Sequence, residues 1–138
     1  MWTTTVGEAD ETLERRLSDE LDAFNAAATE GFSPSRELTV RIERSGELIA
    51  GVAGWTWGEA AGIALTWVRD SERGSGAGAA AIKTFEDEAR QRGAQRAFVT
   101  SFTFQSPSFY ERLGYLETFR WDGIPAAGHD DVHLRKEL

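Results

Sequence analysis

Between Ile63 and Phe102 the chain changes from strand period to helix period and back, and this restricts the fold more than any other feature. Ile63 to Val68 reads as a strand. Ala79 to Arg92 reads as a helix with Ala81, Ile82, Phe85 and Ala89 on its inner face, ended by Gly93 as a C-cap. Ala97, Val99 and Ser101 then alternate with Phe98, Thr100 and Phe102 in a second strand. Parallel strands need a long crossover, usually a helix, and such crossovers are almost always right-handed. Upstream, Leu38, Val40 and Ile42 alternate with Thr39, Arg41 and Glu43. Ser45-Gly46 turns the chain into Leu48 to Trp57, and Gly58-Glu59 turns it into Ile63 to Val68. Turns this short make antiparallel neighbours, so the sheet is expected to be mixed, within an α/β domain carrying helices on both faces.

The flanking segments add to this scheme. Leu13, Leu17, Leu21, Phe24 and Ala28 place one apolar stripe on a helix from about Glu11 to Thr29. Asp10 suits its N-cap, and Glu11 and Glu14 suit the positive end of its dipole. Gly31 and Ser33-Pro34-Ser35 close that segment. Pro107 opens a short helix through Leu113, stopped by Gly114. Strands around Leu116 to Trp121 and Val132 to Leu138 flank a Pro125 to Gly128 loop. Val132–Leu138 is expected as an edge strand able to pair in a dimer, which leaves monomer and homodimer both open. With no linker, repeat or low-complexity tract, residues 1–138 are expected to form a single domain.

Composition removes several function classes. The absence of cysteine excludes disulfides, thiolate zinc sites and a thiol nucleophile. A net charge of -8, with scattered basic residues, argues against nucleic acid as a partner. No apolar run approaches the ~20 residues of a membrane span. Met1-Trp2-Thr3-Thr4-Thr5 has neither the basic nor the apolar part of a secretory signal, so a cytoplasmic protein is expected. Only Lys83 and Lys136 are lysines among 15 cationic residues. That bias fits a high-salt cytosol, where a Debye length of roughly 3 Å screens self-repulsion, and equally fits a high-GC genome.

The polar turn Arg69 to Gly78 lies between a strand and a helix. Residues poor in side chain let the backbone approach an anion. The unpaired N–H groups and dipole of the helix start attract it, and Arg73 adds a full charge. A merely structural strand-to-helix turn is the alternative. The P-loop pattern is missing its Gly-Lys-Ser/Thr. A dinucleotide-binding turn would follow an early strand, whereas three antiparallel-type strands precede this one.

Arg73-x-x-Gly76-x-Gly78 after Trp67-Val68 resembles the acyl-CoA signature of the GNAT superfamily of N-acetyltransferases. Phe104-Gln105-Ser106-Pro107-Ser108-Phe109-Tyr110-Glu111-Arg112-Leu113-Gly114-Tyr115 is similar to that superfamily's FYEKLGF-type segment. Phe85 to Gly93 matches the family's helix end, and Pro125 to Leu138, with Gly128-His129 and Lys136, looks like the tail of a compact branch. The resemblance spans the chain, loosely over the first 35 residues. It implies a GNAT-like mixed central sheet flanked by helices, in the order β-α-β-β-β-α-β-α-β-β.

The same resemblance implies a mechanism. The strands at Ile63–Val68 and Ala97–Phe102 would splay, with the pantetheine of acetyl-CoA, the cosubstrate, between them. Trp67 and Val68 would offer backbone groups to it, while Arg73, Gly74, Ser75, Gly76, Ala77 and Gly78 would hold the pyrophosphate. A primary amine, on a small molecule or on a protein, would attack the thioester directly. Tyr110 falls on the family's general acid; its alternative is a core aromatic beside Phe109. Some relatives carry a basic glutamate on the strand before the glycine turn, but Ala61 to Thr66 holds no carboxylate, leaving Glu59 as a weak candidate acting through water. A catalytically silent acyl-CoA sensor is the second reading. His129 and His133 lack metal-ligand partners at suitable spacing, so no metal is expected. Glu86-Asp87-Glu88 reads as a solvated helix face. Trp55 and Trp57 read as core aromatics or a pocket wall, and Phe102, Phe104 and Phe109 as core or acceptor channel. Ala77-Gly78-Ala79-Ala80-Ala81 departs from the larger aliphatics of relatives, which bears on helix packing more than on phosphate binding.

Overall fold

Ser45 (φ 53°) and Gly46 (φ 80°) occupy the left-handed region that a type I′ hairpin turn demands. That turn joins strand β1 (Arg36–Arg44) to β2 (Glu47–Trp57), and Gly58-Glu59 joins β2 to β3 (Ala60–Val68). All three pair antiparallel in the computed structural model, which describes residues 1–138. A short 3-10 turn (Asp70–Glu72) leads into helix α2 (Ala77–Gln91), and strand β4 (Arg96–Phe102) returns parallel to β3. Helix α3 (Pro107–Arg112) and strands β5 (Leu116–Asp122) and β6 (Asp130–Glu137) complete the chain. The six strands form one mixed sheet in the order β1-β2-β3-β4-β6-β5.

That order corrects one expectation. β6 lies inside the sheet, between β4 and β5, and the edges are β1 and β5. The reason is burial. Val132 and Leu134 of β6 are buried in the core beside β4, whereas every residue of β5 is exposed, Leu116, Phe119 and Trp121 included, so β6 takes the interior place.

Helix α2 packs on the sheet through Ala81, Ile82, Phe85 and Ala89, the inner face read from the sequence. Phe85 is fully buried, and truncating such a side chain to alanine costs about 3–5 kcal/mol. The same helix overturns the reading of its acidic run: Glu86 is only 4% exposed, while Asp87 and Glu88 are half-buried. Helical spacing puts Glu86 next to Phe85 at the margin of the buried face, where it finds polar partners. Trp55 and Trp57 are also outside the buried core. Trp55 is 37% exposed, and its indole lies where a Cβ on Gly62 would stand, 2.2 Å from the ring.

The chain divides into two compact units, Met1–Phe32 and Ser33–Leu138, and the sheet belongs wholly to the second. The first contains helix α1 (Glu11–Ala28), where Asp10 Oδ1 accepts the Leu13 N–H at 3.0 Å as the sequence implied. Its apolar stripe is not buried: Leu13, Leu17, Leu21 and Phe24 are each more than half exposed. The leading strand of the expected order is absent as well, for residues 1–10 form no regular element. Met1, Trp2 and Val6 are the only large apolar residues there, too few to make a strand face.

Candidate active site

Strands β3 and β4 pair only over Ala60–Ile63 and Arg96–Val99. Beyond that point they part, because β3 carries a bulge. Gly54 of β2 faces Ile63 and Ala53 faces Leu65, leaving Ala64 as the extra residue. A bulge bends its strand and raises the local twist. Here it falls one residue past the last β3–β4 pair, so β3 stays with β2 while Thr100–Phe102 continue along β6. Backbone groups of β3 that point away from β2 therefore face an opening rather than a strand. That opening is a cleft of about 770 Å³, walled by Ala64 to Val68 on one side and Val99 to Ser101 on the other.

The glycine turn forms one end of this cleft. Gly74 (φ 80°) and Gly76 (φ 93°) are left-handed, and Gly76 is the N-cap of α2 with no side-chain capping bond. Ser75 N–H donates to Glu72 O, and Ala77 N–H donates to Ser75 Oγ. The N–H groups of Gly74, Gly76, Gly78 and Ala79 make no hydrogen bond to the chain. Four free donors, two on left-handed glycines and two in the first turn of the helix, make an anion nest. Gly78 is buried, and a Cβ there would approach Val68 Cγ2 to 2.9 Å and the Phe109 ring to 3.2 Å. The turn thus fits a diphosphate that must lie against the backbone. Arg73 is exposed and ion-paired with Asp70 at 2.9 Å, so its charge is shared before any ligand arrives.

Tyr110 stands on the cleft wall from α3 and is 7% exposed. It packs edge-on against Phe109 and Tyr115 at 5.1 and 5.9 Å between centroids. Burial pushes its phenol pKa above the usual value, and the neighbouring Thr66 hydroxyl pulls it back less strongly. Thr66 Oγ1 is itself buried and makes no hydrogen bond of ordinary geometry. A phenol held protonated beside an open cleft is suited to give up a proton only to a strong base.

The cleft gathers Tyr110, Trp67, Val68, Arg73, Gly74, Gly76 and Gly78 from the sequence candidates, with Ser75 and Ala77 in the adjoining turn. It does not gather Glu59. That residue is exposed in the β2–β3 turn, where its carbonyl accepts Gln95 N–H at 2.7 Å. It lies at the opposite end of β3 from the nest, about 23 Å from Thr66 at strand rise. The cleft's only carboxylate is Glu72, which is paired with Arg44. Phe104 and Phe109 line the cleft; Phe102 stacks on Phe104 at 5.4 Å. His133 pairs with Asp131 at 3.0 Å on β6, and His129 meets Phe104 edge-on. Thr66 and Arg112 were not singled out from the sequence. The signal for Thr66 was available, since strand parity puts it on the same face as Val68.

A family model described as the acetyltransferase (GNAT) family matches residues 4–115. The chain belongs to this family. A candidate acetyltransferase from Agrobacterium tumefaciens superposes with a TM-score of 0.87 at 26% identity, with all of both chains covered. An aminoglycoside 6'-N-acetyltransferase solved in complex with coenzyme A has the same fold, with a TM-score of 0.65 at 16% identity over 93% of this chain and 92% of that one. Blasticidin-S acetyltransferase of Streptomyces morookaense is 38% identical over 74 residues, 51% of this chain and 52% of that protein. The GNAT chain described here thus spans about half of that relative. The six-stranded sheet flanked by helices is the GNAT fold, with the leading strand missing.

Proposed function

We propose that this GNAT protein transfers the acetyl group of acetyl-CoA to the nitrogen of a small primary amine. The observation that carries the reading is the cleft between parted strands, closed at one end by four free backbone donors and walled in part by a buried phenol. The nest from Gly74 to Ala79 would grip the pyrophosphate, and the free edge of β3 from Ala64 to Val68 would hydrogen-bond the pantetheine amides. The thioester supplies an activated acyl carbonyl, so the chain needs no nucleophile of its own. As the amine nitrogen bonds to that carbonyl and the carbon–sulfur bond breaks, Tyr110 would deliver its proton to the departing thiolate. The proton shed by the nitrogen would pass to water in the open cleft and so restore the phenol. The coenzyme A held by one GNAT neighbour, and the amine-bearing antibiotics named for two relatives, support this choice of cosubstrate and acceptor. A net charge of -8 also favours encounter with a cationic amine.

One observation favours a second reading, in which the protein binds acyl-CoA without turning it over. No carboxylate stands in the cleft near Tyr110, since Glu72 is at the nest end and paired with Arg44. A panel of amines assayed for free thiol released from acetyl-CoA separates the two. Release with a subset of amines establishes the transferase; binding of coenzyme A with no release across the panel establishes the sensor. Failure of coenzyme A to bind at millimolar concentration removes both.

A further inference from the structure

A second groove, of about 590 Å³, runs between α2 and α3, and it joins the first cleft at Ala79, Arg112 and Leu113. Its charged lining is Lys83, Arg90, Arg112, Lys136, Glu86 and Asp87, four cations against two carboxylates. On a chain with a net charge of -8, a groove with excess positive charge is a local reversal that attracts anions. Most of those cations are already engaged. Lys83 and Arg90 pair with Asp87 at 2.7 and 3.1 Å, and Lys136 pairs with Glu86 at 3.0 Å. Arg112 makes no ion pair and no side-chain hydrogen bond, and it stands where the two grooves meet.

We propose that this groove receives the 3′-phosphate of coenzyme A, with Arg112 as the residue that distinguishes coenzyme A from its 3′-dephospho form. The inference rests on the cosubstrate reading given above. Coenzyme A carries a phosphomonoester on its ribose, a few bonds beyond the pyrophosphate. A chain that holds the pyrophosphate at Gly74–Ala79 places that ribose at the exit of the nest, where Ala79 opens into the second groove. A dianionic phosphate there meets a planar guanidinium with all of its donors free, the geometry best suited to bidentate phosphate binding. Lys83, one helical turn beyond Ala79, adds charge without needing to leave Asp87.

The test is calorimetric titration of the purified protein with coenzyme A and with 3′-dephospho-coenzyme A at fixed low salt. The parent protein is expected to bind coenzyme A about tenfold or more tighter. Arg112→Gln should erase that preference by weakening coenzyme A alone, while Arg112→Lys, which keeps the charge and loses the fork, should keep part of it. Equal affinity of the parent for both ligands overturns the proposal and leaves the cosubstrate reading standing. Equal weakening of both ligands by Arg112→Gln also overturns it. Binding of neither ligand to the parent overturns the cosubstrate reading and this inference together.

Discussion

The phenol of Tyr115 donates a 2.8 Å hydrogen bond to the carboxylate of Glu86, and both groups are buried. Lys136 Nζ reaches the same carboxylate at 3.0 and 3.1 Å and lies 5.6 Å from the Tyr115 ring centroid. The three residues come from α2, the segment after α3, and β6. The contact therefore fastens the crossover helix to the last interior strand at the end of the motif that carries Tyr110. A buried charge is tolerated only when paired and hydrogen-bonded, and Glu86 has both.

Removing one partner should cost more than the contact is worth, because the carboxylate stays behind. Tyr115→Phe is expected to lower stability by about 1–3 kcal/mol. Lys136→Met, which leaves Glu86 without its counter-charge, is expected to cost about 3–5 kcal/mol. The double change Glu86→Gln with Lys136→Met should recover part of that loss. Urea melts of the four proteins check this, and a Lys136→Met midpoint equal to the parent's would end the claim.

Tyr110→Phe keeps the aromatic packing against Phe109 and Tyr115 and removes only the hydroxyl. Turnover should fall about 10²–10⁴-fold if the phenol is the general acid. Affinity for coenzyme A should stay within about twofold, because the nest is untouched. A core aromatic with no chemical role would instead leave turnover intact, so steady-state rates paired with binding titrations separate the two.

How far the sequence revealed this arrangement can be read from particular residues. Period switching gave the elements, with α2 and β4 within two residues of their expected ends, because alternation and helical spacing reflect burial directly. The nest was legible for the same local reason: the glycines sit in one short turn. What local pattern cannot carry is which strand neighbours which. The place of β6 inside the sheet depends on Val132 and Leu134 being buried against β4, a contact spanning some thirty residues. Glu86 was misread because its partners, Tyr115 and Lys136, are remote in sequence. The α1 stripe shows the converse limit, since helical period specified the helix without telling what its apolar face would meet.

Gly78→Ala tests the closeness of approach at the nest. An added Cβ would stand 2.9 Å from Val68 Cγ2 and 3.2 Å from the Phe109 ring, so one of these side chains on the cleft wall must move. The expected result is a stability loss of about 1–3 kcal/mol from overpacking, together with coenzyme A affinity reduced about tenfold or more. Gly74→Ala makes the contrast, for nothing lies within 4 Å of its Cβ position and the cost there comes from its positive φ alone. Gly78→Ala binding coenzyme A as tightly as the parent would contradict the fit.

Alkaline stability should report the two tyrosines, the only two in the chain. Burial raises Tyr110 above its ordinary pKa of 10.0; burial, then the adjacent Glu86 carboxylate, raise Tyr115 further. Each phenol therefore keeps its proton in the folded state at a pH where the unfolded chain has released it. A raised folded-state pKa means that the stabilisation is complete below pH about 10 and is lost as pH climbs beyond it. The slope should approach about 1.4 kcal/mol per pH unit for each tyrosine that stays protonated in the folded state. Denaturant melts from pH 8 to 11.5, with tyrosinate absorbance followed alongside, should show a plateau, then a fall coinciding with phenol ionisation. Tyr110→Phe should reduce the fall while leaving the plateau edge in place. Free titration of both phenols near pH 10 in the folded protein, with no loss of stability, would show that neither is sealed from water as the structure places them.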